Sequence, residues 1–226
     1  MDATIALRCV EWIVERMNDK ALFAATDRQP ALIPVTVSAH HVHLSSASIV
    51  RLFGPHHVLH PRNDVRQPDQ FASAETVSLI GPKGRLDHVR VLGPARDHDQ
   101  VEVSRTDALH LGIDPPLRES GDLARTPGIR IQGPVGGIDL PNGVICALRH
   151  LHASPADAAV LGLRDRDRVE ISLEAGERPL IFGNVRVRVS PTFRLEFHID
   201  TDEANAAGIS GPDIALFKGR ISRDRR

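Results

Sequence analysis

The sequence predicts a mainly β protein of two pseudo-symmetric halves, of barrel or sandwich type, with short capping helices and an N-terminal helix. Three observations carry this. Apolar runs are short and broken at regular intervals by glycine and proline, which marks many short strands rather than a parallel α/β sheet. A His-x-His-x-Ser motif occurs twice, 109 residues apart. A second pair of similar segments follows each motif at a distance, so the chain reads as two copies of one unit.

Along the chain, Thr4 to Asp19 comes first. Ile5, Val10, Ile13, Val14 and Met17 recur at near-helical spacing, with no glycine or proline between them. Ala24 to Pro30 then reads as a linker. The helix is either a packing element or a docking tag, and its apolar stripe leaves both open. Residues 1–30 are set apart on this basis, residues 31–122 form the first half and residues 123–221 the second, with the active site expected between the halves. Ile33 to Val37 is a strand, followed by His41-Val42-His43-Leu44-Ser45. Val77 to Ile80 and Leu86 to Leu92 are strands joined by the Gly81-Pro82-Lys83-Gly84 turn, and Gly93-Pro94 stops the second. Gln100 to Ser104 is another strand. In the second half, Gly143 to Leu148 precedes His150-Leu151-His152-Ala153-Ser154. Ser45 and Ser154 have the character of helix N-caps, the latter with Pro155 at the first helical position.

Composition narrows the function. Residues are 41% hydrophobic and 25% charged, with a formal net charge of -1, so no overall field draws the chain to nucleic acid or an anionic membrane. Aromatics are 4%, with no tyrosine, which is poor material for stacking single-stranded bases. No apolar run has the roughly 18 residues of a membrane span. Two cysteines, Cys9 and Cys146, lie far apart and suit a reduced, cytoplasmic chain. No phosphate-binding Gly-Lys-Ser/Thr loop and no dinucleotide fingerprint is present.

The chemistry lies in the histidines. Residues i and i+2 of a strand share a face, so each pair presents two imidazoles side by side. The second repeat supplies a partner for each. Val101 to Ala108, ending in Leu111-Gly112-Ile113, matches Phe197 to Ala204, ending in Ala207-Gly208-Ile209. Aligned on Gly-Ile, Glu102 falls opposite His198. Each copy then offers three ligands: His41, His43 and Glu102 in the first, and His150, His152 and His198 in the second. Three nitrogen or oxygen ligands leave a fourth position open, the pattern of a catalytic rather than a structural metal. Zinc suits the donors best, two ions per chain, with manganese, iron and cobalt as alternatives. His40 is set aside because it points to the opposite face. His56, His57 and His60, in a Pro-rich loop, read as solvated. Cys146 reads as a small buried residue. Arg96 either reaches an oxyanion beside the metal or pairs with Asp97 or Asp99 at the surface. Ser120 is either a substrate contact or a turn residue.

These residues resemble the PduL-type phosphotransacylases, or phosphate propanoyltransferases. The likeness is carried by the stretch from Ile33 to Ser45, by Gln67-Pro68-Asp69-Gln70-Phe71-Ala72, by Gly81 to Gly84 and by Val89 to Arg96. It continues through Gln100 to Ser104, Leu111 to Asp122, Arg149 to His152 and Glu196 to Gly208. The resemblance implies two β-barrels, a di-zinc site and reversible acyl transfer between an acyl-CoA plus phosphate and an acyl phosphate plus CoA. It implies metal ligation by His41, His43, Glu102, His150, His152 and His198, and phosphate binding at Arg96. It further implies that a helix at residues 1–20 can direct such a chain into a bacterial microcompartment through its shell. Three positions depart from the family: His40 stands for its usual arginine, Ala153 for its methionine, and His56-His57 for its Gly-Tyr. Two other classes fit the metal ligands: a zinc-dependent hydrolase of thioesters or amides, and a metal-stabilised binding module without turnover. A homodimer is compatible with the sequence, which names no interface residue.

Overall fold

The structure is a computed structural model that describes residues 31–174, 178–211 and 213–221. The expected N-terminal helix and its linker, with Cys9, lie outside the described residues. Among those described, no helix is long and apolar enough to cross a membrane.

The described chain is mostly strand, in two compact units. Of the described residues, one unit holds 31–37 and those from Arg149 onward, and the other spans Ser38–Leu148. This differs from the expected boundary after Asp122, and pairing gives the reason. Strands β8 (Ile129–Gln132) and β9 (Gly137–Leu140) join β4 (Phe71–Ile80) through Leu79↔Ile131 and the β8–β9 hairpin. β10 (Val144–Ala147) adds in parallel to β6 (Gln100–Glu102) and β7 (Leu117–Arg118). At the other end, β1 (Leu32–Ser38) pairs with β15 (Asp213–Arg220), Ile33 facing Ala215.

The first unit is a closed six-stranded barrel in the order β1, β14 (Glu196–Asp200), β11 (His150–Ala153), β13 (Leu180–Val189), β12 (Arg168–Leu173), β15. Phe197, Ile33, Leu151, Ile171 and Leu173 fill its core. The second unit is a curled nine-stranded sheet: β7, β10, β6, β2 (His41–Ser45), β5 (Arg85–Arg96), β4, β8, β9, with β3 (Pro61–Asp64) on β4. Its core is built from residues such as Leu44, Leu52, Leu79, Leu111 and Ile131. β5 does not stop at Gly93-Pro94 as expected. It runs on to Arg96 through a cis Gly93–Pro94 bond, with Gly93 against the Phe71 ring so closely that a Cβ would overlap it.

Four short helices cap these strands: α1 (Ser46–Phe53), α2 (Arg105–Leu111), α3 (Pro155–Leu161) and α4 (Thr201–Ala207). Each starts directly after a site-bearing strand. Ser45 and Ser154 cap α1 and α3 as their sequence context predicts. α2 and α4 are capped by Ser104 and Asp200, one or two residues ahead of the Thr-Asp start signal, with Asp107 and Glu203 completing capping boxes. Gly112, Gly162 and Gly208 end the last three helices in the left-handed region, where a side chain would be strained. The following Ile113, Leu163 and Ile209 each donate an N–H back to the helix.

These elements fix the histidine registers. Val42 and Leu44 on β2, and Leu151 and Ala153 on β11, are fully buried in their cores. A one-residue slip would put imidazoles in the core and these residues on the site face. Each of the larger side chains stabilises the observed register by about 1.5–3 kcal/mol of burial.

Candidate metal centres

The first triad is built by β2 and β6. These strands run antiparallel with His41 opposite Glu102 and His43 opposite Gln100. His41 Nδ1 lies 2.8 Å from the Ala39 carbonyl, which can only accept, so Nδ1 donates there and Nε2 is left to face the site. Nε2 lies 3.5 Å from Glu102 Oε2. Tetrahedral zinc, with ligands at about 2.0–2.1 Å, separates neighbouring donor atoms by about 3.3 Å. His43 completes the group, its ring centroid 5.1 Å from that of His41. Its Nδ1 is buried without a hydrogen-bond partner. Burial, with the nearby His41 and Arg96, holds the His43 imidazole well below its ordinary pKa. It is therefore neutral, the form that ligates metal.

The second triad repeats the device on β11 and β14. His150 lies opposite His198, and His152 opposite Glu196. The three ring centroids are 4.6–4.8 Å apart. Neither ring nitrogen of His152 has a hydrogen-bond partner, nor does His198 Nε2. Burial and the neighbouring His198, His150 and Arg188 push the His152 pKa far down, so its ring is neutral as well. Buried polar atoms without partners cost about 1–3 kcal/mol each. One such atom lies in the first triad and three in the second, which together with the donor sets fits both groups to metal ions.

Arg96 and Ser120 join the first triad. The Asp99 carboxylate accepts from the Ser45 N–H and the Ser48 hydroxyl. Arg96 Nη1 lies 3.5 Å from the Ser120 hydroxyl, and its charge bears on His43. His40 points away from the triad, as expected, and meets Asp107 at 3.2 Å. That hydrogen bond raises the His40 pKa. Cys146 is buried.

Two residues at these centres escape sequence reasoning. Gln100 Nε2 donates to Glu102 Oε1 at 2.5 Å and to Ser120 Oγ at 2.8 Å, while its Oε1 accepts from the Gly121 N–H. One side chain thus orients a ligand carboxylate and the polar turn. Glu196 is its counterpart. It accepts from Thr36 Oγ1 at 2.5 Å and lies 3.0 Å from His198 Nε2, without hydrogen-bond geometry. Both residues stand two before the third ligand on the same strand, so alternation places them on the ligand face. Gln100→Leu is expected to weaken metal binding at the first triad by about 10–100-fold. A zinc titration against a chelating dye checks it.

His56 and His60 are exposed, as the Pro-rich loop suggested, whereas His57 is half-buried. The His57 and His60 rings both reach the buried Glu75 carboxylate. A loop rich in proline can still be pinned by one buried acid beneath it.

The sequence matches the model of the phosphate propanoyltransferase family over residues 34–210. It is 51% identical over 217 residues to a phosphate propanoyltransferase of Escherichia fergusonii, covering 96% of this chain and 98% of that protein. The phosphate propanoyltransferase of Thermotoga maritima is 51% identical over 190 residues, 84% of this chain and 90% of the relative. That of Salmonella typhimurium is 53% identical over 180 residues, 80% and 85% of the two chains. With matches of this extent over both histidine triads, the chain belongs to the phosphate propanoyltransferase family.

Proposed function

We propose that the protein is a zinc-dependent phosphate acyltransferase that interconverts a short-chain acyl-CoA, propanoyl-CoA foremost, plus phosphate with acyl phosphate plus CoA. The observation that carries this reading is the pair of triads with partnerless buried ligand atoms, one of them beside Arg96, in a chain about half identical to phosphate propanoyltransferases.

His41, His43 and Glu102 would hold one ion, and His150, His152 and His198 the other. Zinc bound there supplies Lewis-acid stabilisation of oxyanion charge and of a departing thiolate. The chain's own residues do the rest. Arg96 offers a guanidinium fork to phosphate, a match in charge and in bidentate shape. Ser120 adds a hydroxyl, which Gln100 holds toward the same place. A phosphate oxygen bonds to the acyl carbon, the C–S bond breaks, and the electron pair leaves with sulfur. No covalent enzyme intermediate is required. Gln100 and Glu196 keep the ligand side chains oriented throughout.

Arg96→Ala is expected to raise the KM for phosphate by about 10–100-fold, the loss of a charge-assisted contact worth about 1.5–3 kcal/mol. Its metal content should equal wild type. Initial rates across a phosphate series, with elemental analysis of the same samples, check both. Loss of metal in step with activity would remove Arg96 from phosphate binding.

A further inference from the structure

We propose that His57, His60 and Glu75 form a third metal site, one that takes a zinc-like divalent transition-metal ion and clamps the loop after α1 onto β4. It involves neither triad's ligands, and it stands whether or not the acyl-transfer reading does.

Glu75 is the starting point. Along β4, Ser73, Glu75, Val77 and Leu79 form the buried row, so this carboxylate sits where the strand otherwise packs inward. The β4–β5 register shifts between Ala72 and Thr76, and the irregularity spans this residue. Both histidines converge on a single oxygen. His57 Nε2 is 2.9 Å from Glu75 Oε1 and His60 Nδ1 is 2.7 Å from it. The His60 backbone N–H lies 3.3 and 3.1 Å from the two carboxylate oxygens. Burial pushes the Glu75 carboxyl up, but hydrogen bonds from His60, the backbone and His57 outweigh it and bring the pKa to about 2. The acid is thus an anion throughout the neutral range.

Two imidazoles and one carboxylate are the donor set of His41, His43 and Glu102. All three ligand atoms lie within 4.8 Å of one another. The two rings are inclined at 76°, with centroids 5.5 Å apart, so their nitrogens approach the acid from different directions. An ion replacing the bridging protons would need the donor atoms to part to about 3.3 Å, a few tenths of an ångström more than now. His60 supplies that freedom, since its side chain is 70% exposed. His57 supplies the anchor, its ring stacked on Phe53 at 5.0 Å at the end of α1. Leu59, buried between them, fixes the loop backbone. The exposed side gives the ion an entry path and room for water as a fourth ligand. Because two ligands sit on the loop and one on β4, an ion here ties the loop to the strand.

The test uses the full chain and zinc alone. Wild type is equilibrated with excess zinc, freed of unbound metal, and analysed for zinc per chain beside the His57→Gln/His60→Gln double variant. The expected result is one zinc fewer in the double variant, with an unchanged far-ultraviolet dichroism spectrum. The exposed single variant His60→Gln, which should fold without difficulty, is expected to bind this equivalent about 100-fold more weakly. Amide exchange over residues 54–60 should slow in wild type as that equivalent is added. Equal zinc in wild type and the double variant would overturn the site and leave the cluster a hydrogen-bonded loop pin. So would exchange that ignores the added ion.

Discussion

His152→Leu will abolish turnover and yet make the metal-free protein more stable. The two effects have one cause. In the metal-free chain, both His152 ring nitrogens are buried with no hydrogen-bond partner. Leucine of similar volume removes that penalty and should raise stability by about 1–3 kcal/mol. For a protein of this length that is about 2–4 °C in Tm per kcal/mol. Part of the gain offsets the lost stacking on Phe193, whose ring centroid lies 3.9 Å away. With zinc present the order reverses, because the variant has lost a ligand. Activity should fall by about 10³-fold or more, equivalent to about 4 kcal/mol of transition-state stabilisation. Thermal melts with and without chelator, together with turnover, check this. A variant less stable than wild type in both conditions would make His152 a packing residue and not a ligand.

The metal-free protein will also lose stability steeply as pH falls below about 6.5. His43 and His152 have folded pKa values depressed from an ordinary 6.5. A depressed histidine leaves stability intact above its unfolded pKa and loses it as pH falls from there toward the folded value. Below 6.5 the unfolded chain gains protons that the folded one refuses. Each such imidazole contributes a slope approaching about 1.4 kcal/mol per pH unit, so the two together approach about 2.7. Glu203, raised from its ordinary 4.5 by burial, recovers stability as pH falls through its folded value and partly opposes this slope, while His40 and Glu75 act in other windows. His40, raised by Asp107, adds stability that is complete below 6.5 and is lost as pH rises through its folded value. Glu75 holds its contribution above its ordinary 4.5 and loses it as pH falls toward about 2. Between pH 6.5 and 4.5 the histidine slope therefore stands clear of both. Denaturant titrations of chelated protein across that interval measure it, and saturating zinc should steepen it, because every ligating imidazole is then held unprotonated in the fold. A flat profile in the chelated protein would mean that these rings are protonated in the fold.

How far the sequence could be read depended on whether the information was local. Strand alternation around Val42 and Leu151 placed the histidine pairs on one face. The Gly-Ile alignment matched Glu102 with His198 as the third ligand of each copy, and the antiparallel registers set them opposite His41 and His150. Helix starts were legible from Ser45 and Ser154 because a cap acts within three residues. What was not legible depended on pairing between distant segments. Nothing near Ile33 announces Ala215 as its partner, and nothing near Ile131 announces Leu79, so the division after Asp122 missed where the strands close. Gln100 and Glu196 were within reach of the same alternation that yielded the ligands, since each lies two residues before one. Glu75 had no such signal. It meets His57 and His60 across 15–18 residues of chain, and only the fold reveals that a buried acid lies under the loop.

The most direct measurement is CoA release from propanoyl-CoA by purified protein, with and without inorganic phosphate, before and after chelation. Release should require both phosphate and metal, and acyl phosphate should accumulate in step with free CoA. Release that continues without phosphate would contradict acyl transfer to phosphate and make the protein a thioester hydrolase. Release that survives complete removal of metal would contradict a catalytic role for the two triads.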